Sequence, residues 1–238
     1  MRLSVVMPAH NEATLLDTSV REVVDGLRDR DESFQVLVVE NGSQDGTGRL
    51  AEALAADLPE VSVRTLPRAD YGRALRTGLL AATGHTVVNF DVDCTDLGFL
   101  DAALGRFEQP DPPAIIVGSK RAPGAHDQRS WARRFVTWVF GLVLRVGFGL
   151  RVTDTHGMKA LDRARVLPIA EACRSDGELF DTELILRAER ARLAVTELPV
   201  TVAERRPART SIARRALRTL AGLARLRLAL ARDRRAAA

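Results

Sequence analysis

Asp91 and Asp93 flank a single valine in NFDVDCTD (89–96), directly after an apolar run. On a continuing strand, alternation points both carboxylates the same way. Two convergent hard oxygens suit a divalent cation, Mg2+ or Mn2+, that also grips a diphosphate. A bare Asp-x-Asp equally fits loop aspartates that cap the next helix. Two further apolar runs end in short polar residues. One passes through Pro8, Ala9, His10, Asn11 and Glu12, and the other through ENGSQDGT (40–47). Pro8 stops its strand and turns the chain, so exposed amides and Asn11 can hold a base. Glu12 can bond across that loop. Glu40 can accept from base N–H groups or ribose hydroxyls. Asp45 fits the cap of a helix starting near Thr47.

These residues need a scaffold that brings three strand ends together. Residues 3–7, 34–39, 61–65, 86–90 and 114–117 read as strands, the first as a continuous apolar run of the buried parallel kind. Helical periodicity covers 12–27, 47–58, 71–82 and 97–107. Strands alternating with helices predict parallel β-α-β units with right-handed crossovers. In such sheets ligands bind outside the carboxyl ends of the strands, where all three polar clusters fall.

Past Ala122 the pattern changes. APGAHDQRS reads as a loop. Residues 131–147 form an amphipathic helix with Trp131, Phe135, Trp138, Leu142 and Val146 on one face. A helix near 164–173, another beginning in GELFDTELILRAER and a strand over 194–202 follow. Residues 211–235 form a basic amphipathic helix or helix pair, with Ile212, Ala216, Leu220, Leu223 and Leu230 on one side. Arg214, Arg218, Arg225 and Arg232 lie opposite. Such a helix fits an anionic membrane surface. Packing against its own domain with a solvated arginine face is the alternative, but with the aromatic 131–147 helix also amphipathic, peripheral membrane contact is the reading expected. The organisation expected is one compact domain, 1–205, with a C-terminal helical extension, 206–238.

The 238 residues are 46% hydrophobic, enough for a sizeable core and against disorder. Net charge is +4 and the sequence pI about 9.8. Lys120 and Lys159 are the only lysines, so the basic character is arginine. No recognised nucleic-acid module accompanies it, which argues against that partner. Cys94 and Cys173 have no metal or redox spacing and are expected to be reduced thiols in a cytosolic protein. The chain opens directly on a strand, with no leader segment expected. FVTWVFGLVL (135–144) ends at Arg145, short of the roughly 20 apolar residues of a spanning helix. The four histidines show no metal-ligand spacing. His156, in DTHGMK, is open to either a packing or a ligand role.

Taken in order, PAHNE, VVENGSQDGT and DVD resemble glycosyltransferase family 2, inverting enzymes of the GT-A fold. GSKR (118–121), the WARR helix, GLRVTDTHGMKA and FDTELILRAERARLAVTELPV are similar to its branch of dolichyl- and polyprenyl-phosphate mannose and glucose synthases. The resemblance covers nearly the whole chain. It implies a GT-A (Rossmann-like), mostly parallel sheet flanked by helices. Pro8, Ala9, Asn11, Glu12 and Glu40 would line the nucleotide-sugar site. Asp91 and Asp93 would bind ribose, diphosphate and an Mg2+ or Mn2+ ion. Lys120, Arg121, Arg133 or Arg134, Lys159, Arg206 and Arg209 would bind acceptor or phosphate groups. Three departures stand out: Glu40-Asn41 in place of Asp-Asp, Thr95 where Gln often follows the aspartates, and DTHGMK one residue shorter than the DTQCGFK-like pattern.

The activity implied is transfer of a hexose from a GDP-mannose- or UDP-glucose-type donor to a polyprenyl phosphate, at the cytoplasmic face of a membrane contacted peripherally. An ionised phosphate acceptor needs no strong base. A hydroxyl acceptor on a metabolite or glycan would need one, and Asp181, with Glu183 in reserve, is the candidate. Asp181 equally fits a carboxylate favoured by a helix N-terminus. A non-catalytic sugar-nucleotide-binding module is the alternative outside enzymes. A nucleotidyltransferase is disfavoured because no Gly-rich loop follows the first strand.

Overall fold

The structure, a computed structural model, describes residues 2–30, 32–127, 131–202 and 212–236. Strand β1 (Leu3–Ala9) leads through a turn into α1 (Leu16–Arg28). β2 (Phe34–Asn41), α2 (Thr47–Asp57), β3 (Val61–Leu66), α3 (Tyr71–Ala81), β4 (Thr86–Asn89), α4 (Leu97–Phe107) and β5 (Ile115–Ser119) follow in alternation. The second half holds β6 (His126–Asp127), α5 (Trp131–Phe148), β7 (Lys159–Asp162), α6 (Arg163–Ala172), α7 (Leu179–Arg190), β8 (Val195–Pro199), β9 (Thr201–Val202) and α8 (Ile212–Ala236).

Seven strands form one sheet in the order β3-β2-β1-β4-β7-β5-β8. All neighbours pair in parallel except β7, which runs antiparallel between β4 and β5. Six carboxyl ends therefore share one edge, and the antiparallel strand begins there. Register places Ala9 opposite Glu40, and Asn89 opposite Lys159. β6 and β9 make a separate parallel pair.

Alternation along the strands feeds two cores. Val5, Met7, Val36, Val38 and Ile116 pack under α1, α2 and α4 with Leu16, Leu54 and Leu100. Val6, Leu37, Val39, Val87 and Val117 pack under α3, α6 and α7 with Leu75, Val166, Phe180 and Leu184. Both faces are covered, which is why the central strands read as continuous apolar runs.

The expected alternation of strands and helices is present, and four details differ. Helix α1 starts at Leu16 rather than at 12, because Glu12 carbonyl oxygen accepts from Leu15 and Leu16 in a turn. β7 was not expected: KALD is too short to show a period. The stretch read as one strand over 194–202 is two, β8 and β9, interrupted at Val200. Finally, α8 is not a free appendage. Leu223, Leu226 and Leu230 are buried in the α7-side core, and Gly222 sits so tightly on Leu179 that a Cβ would collide with it. Leu223, Leu226 and Leu230 thus cover the domain, where a membrane-facing helix was expected, while Arg225, Arg227 and Arg232 face solvent; the side chains of Ile212, Arg214, Ala216, Arg218 and Leu220 lie outside the described residues.

Candidate active site at the carboxyl edge of the sheet

The turns after β1 and β2 are stitched to each other. His10 Nδ1 donates to Asn41 O at 2.8 Å, and Asn11 Nδ2 donates to His10 Nε2 at 3.2 Å. Asn11 adopts φ 54°, tolerable for asparagine. Its Oδ1 accepts from Gln44 N, and its own N donates to Ser43 Oγ. Glu12 N donates to Thr47 Oγ1. Asp45 accepts from Ala13 N, Thr47 N and Thr47 Oγ1. Burial raises the Asp45 carboxyl, but the Thr47 and Ala13 donors outweigh it and hold the group below its ordinary range. Asn11 and Asp45 thus shape this double turn. Glu40, 5% exposed, accepts from Ser43 N at 2.6 Å and packs beside Gly48. Pro8 and Ala9 end β1 in the same register.

The stretch after β4 is not extended. Asp91 to Cys94 close a tight turn, with Cys94 N donating to Asp91 O at 2.9 Å. Val92 is buried under α1, where its carbonyl accepts from Ser19 Oγ. The two aspartates are brought together by this turn, not by strand alternation as the sequence suggested. Burying Val92 anchors the turn and leaves Asp91 and Asp93 partly open.

Solvent reaches part of Asp91. Burial raises its carboxyl above the ordinary range, and the charges of Asp93 and Asp181 raise it further. Lys159 and the Tyr71 hydroxyl, which donates to Asp91 Oδ1 at 3.1 Å, oppose this only in part. The Tyr71 phenol is pushed well up, by burial first and then by Asp91 and Asp181.

Beneath the acidic pair lies a buried charge pair on the α7 face of the sheet. Lys159 is 0% exposed and Asp181 1%. Lys159 Nζ stands 2.9 Å from Asp181 Oδ1 and donates to Gly157 O at 2.8 Å. Among the described residues neither Asp181 oxygen has a hydrogen-bond donor, so the contact with Lys159 is an ion pair. Asn89 Oδ1, buried nearby, lacks one too. Lys159, expected among phosphate ligands, is a floor residue. The antiparallel β7 brings it inside, since its first residue pairs with Asn89 and Val117. Glu183 turns away from the edge. It accepts from Arg174 N, Ser175 N and Arg187 Nε at 2.6–3.0 Å. Its work is to tie the start of α7 to the loop before it.

Lys120 Nζ lies 4.0 Å from Asp154 Oδ2, and its charge reaches Cys94 and His156. It therefore faces the rim between the Asp91 turn and the 153–157 loop. That loop is held by carboxylates. Glu197 accepts from Thr153 N, Thr153 Oγ1 and Asp154 N, and Glu189 accepts from Arg151 N and Val152 N. His156 Nε2–H donates to Glu178 O at 3.0 Å, while Thr155 Oγ1, 3.1 Å from Nδ1, completes a neutral imidazole. Burial lowers the His156 pKa, consistent with that state. His156 is thus a packing residue between the loop and α7. Arg121 fills the space where a Gly141 side chain would begin, under α5. Arg134 is exposed on α5. Arg206 and Arg209, and the side chain of Arg133, lie outside the described residues.

The start of α3 joins these parts. Asn41 Oδ1 accepts from Asp70 N at 2.7 Å. Asp70 Oδ1 accepts from Arg73 N, capping α3, and from Gly177 N in the turn before α7. A Cβ on Gly72 would run into the Gly177 carbonyl and Phe180. Gly72→Ala is expected to push α3 off α7, cost about 1–3 kcal/mol as an overpacked contact and lower donor turnover; thermal melts and turnover assays check it. Sequence reasoning missed Asp70, Tyr71 and Gly72 as site residues. An Asx cap before a helix was visible, but its second acceptor role to Gly177 depends on contact across more than a hundred residues.

Among the described residues no three His, Cys, Asp or Glu groups converge as a metal cage. The donor set nonetheless fits Mg2+ or Mn2+. Such ions take one or two carboxylates and complete their shell with water and substrate phosphates, and Asp91 stands beside Asp93 and Asp181 with only partial compensation from Lys159 and Tyr71.

A family profile described as Glycosyl transferase family 2 matches residues 4–166. Glycosyltransferase AglD of Haloferax volcanii is 30% identical over 205 residues, covering 84% of this chain and 33% of its own length. The undecaprenyl-phosphate mannosyltransferase of Micrococcus luteus is 29% identical over 215 residues, covering 86% of this chain and 85% of its own. The chain thus spans a third of the first relative and most of the second. The crystal structure of glucosyl-3-phosphoglycerate synthase from Mycobacterium tuberculosis with UDP superposes with a TM-score of 0.62 at 23% identity, over 87% of this chain and 73% of that one. At that identity it shows the shared GT-A fold. The profile match over most of the sheet, together with the resemblance to the polyprenyl-phosphate sugar synthase branch, places this chain in glycosyltransferase family 2.

Proposed function

We propose that the chain is an inverting, metal-dependent hexosyltransferase that moves a hexose from a UDP- or GDP-sugar to a polyprenyl phosphate at the cytoplasmic face of a membrane. The observation that carries the reading is α5. Trp131, Phe135, Val136, Trp138, Val139, Leu142, Val143 and Val146 are all exposed on it, and Phe135 stacks on Trp138 with ring centroids 6.0 Å apart. A single helix baring this much apolar surface marks an interaction site. Its inner side rests on Arg121, with Lys120 next in sequence and the acidic turn beyond. An amphipathic acceptor, apolar chain with anionic head, matches that order of surfaces. The Micrococcus relative, an undecaprenyl-phosphate mannosyltransferase, supports the same acceptor class. Among the described residues no helix is long and apolar enough to cross a membrane, so contact would be through α5 lying on the surface.

In this reading the turns around Pro8, Ala9, Glu12 and Glu40 hold the nucleotide. A divalent cation held by Asp91 and Asp93 would neutralise charge on the departing diphosphate. Lys120 and Arg121 hold the acceptor phosphate, whose oxygen bonds to the anomeric carbon as the bond to the nucleoside diphosphate breaks with its electron pair. Attack opposite the leaving group inverts the centre. The acceptor arrives ionised, so Asp181 has no proton to take and instead keeps Lys159 paired beneath the site.

A panel of UDP- and GDP-sugars with Mn2+, with and without a short polyprenyl phosphate, tests this. Glycosyl polyprenyl phosphate is the expected product. Transfer only to a hydroxyl acceptor in water overturns the acceptor assignment, and nucleotide-sugar binding with no turnover of any donor overturns the enzyme. For the membrane contact, Trp138→Ser with Leu142→Ser is expected to weaken sedimentation with anionic vesicles by tenfold or more, given about 1.5–3 kcal/mol per large apolar side chain buried.

A further inference from the structure

Tyr71 is the only tyrosine in the chain. It is the first residue of α3, partly buried against the core shared with α7. Among the described residues its hydroxyl makes the one side-chain hydrogen bond to the Asp91 carboxylate. Asp91 sits at the start of a tight turn closed by Cys94 N on its carbonyl. Tyr71 is held. Asp70 before it is bonded to Asn41, Arg73 and Gly177, and Gly72 after it leaves no room to shift against Gly177. The ring therefore stands on a fixed backbone, and its hydroxyl fixes Asp91 Oδ1.

We propose that Tyr71 is a positioning residue for Asp91, locking Oδ1 by one hydrogen bond so that Oδ2 is presented to the divalent cation and diphosphate. Partners of this kind orient a ligating carboxylate, and losing them typically weakens metal affinity about 10–100-fold. The same helix start holds Gly177, and through it the turn leading to Asp181. One rigid corner thus registers both carboxylates. The inference rests on the metal-dependent reading above and deepens it.

The test is Mn2+ binding by the full chain, read from the electron paramagnetic resonance of free Mn2+ in the presence of UDP or GDP and without donor turnover. Tyr71→Phe is expected to bind Mn2+ about 10–100-fold more weakly, with its melting temperature near that of the wild type and nucleotide affinity without Mn2+ unchanged. Tyr71→Leu repeats the measurement so that the result does not depend on how one ring packs. Equal Mn2+ affinity in wild type and a folded variant overturns the role of Tyr71 while leaving the metal-dependent reading intact. Failure of the wild type itself to bind Mn2+ with either nucleotide overturns both.

Discussion

Asp91→Asn is expected to lower donor turnover by about 10²–10³-fold, the usual loss when one electrostatic stabiliser of transition-state charge is removed. The fold should not suffer. Asp91 is raised by burial and by two neighbouring carboxylates, so without a cation its charged form opposes folding. The sign follows from linkage: a carboxyl raised in the folded state contributes stability at low pH and loses it as pH climbs through its elevated pKa. The asparagine variant lacks that loss. Its melting temperature should equal or exceed the wild type's at neutral pH, with the difference shrinking toward pH 4. Melts across pH beside a turnover assay check both halves. A variant that loses activity only in proportion to unfolded protein would remove Asp91 from the site.

Lys159→Met is expected to cost about 3–5 kcal/mol of stability, the penalty for leaving one member of a buried ion pair alone. For a chain of this size that is roughly 6–20 °C in melting temperature. Asp181 is 1% exposed, and among the described residues neither of its oxygens has a hydrogen bond to fall back on. The pair is not therefore a large source of stability. Replacing both members, Lys159→Met with Asp181→Leu, should recover most of the loss, because two apolar side chains fill the floor without an unpaired charge. Denaturant unfolding of the two single variants and the double gives the coupling. Additive losses would mean that the two charges do not depend on each other.

The double variant would also separate two uses of Asp181. For a polyprenyl phosphate, turnover should fall only as far as the floor deforms. For a hydroxyl acceptor it should collapse. Glu183 offers no substitute, because its oxygens are taken by Arg174, Ser175 and Arg187.

Much of this protein was legible in the chain itself. Short, mostly apolar runs such as LSVVM and VLVVE read as central strands covered on both faces, and the helical periods between them point to parallel crossovers. The polar clusters at 8–12, 40–47 and 91–93 then fall at one edge by topology alone. Tertiary structure decided what lies under and around it. β7 carries no readable period in four residues, yet its antiparallel insertion is what draws Lys159 inside and makes it the partner of Asp181. Asp91 is placed not by strand alternation but by a turn, and its carboxylate accepts from Tyr71, twenty residues earlier. The two amphipathic helices looked alike on a helical wheel. Packing separated them: Leu223, Leu226 and Leu230 of α8 are buried against the α7 side of the domain, whereas Trp131, Phe135, Trp138, Leu142 and Val146 of α5 stay exposed. Periodicity records which residues avoid water, not what they find instead; that depends on contacts between segments far apart in sequence.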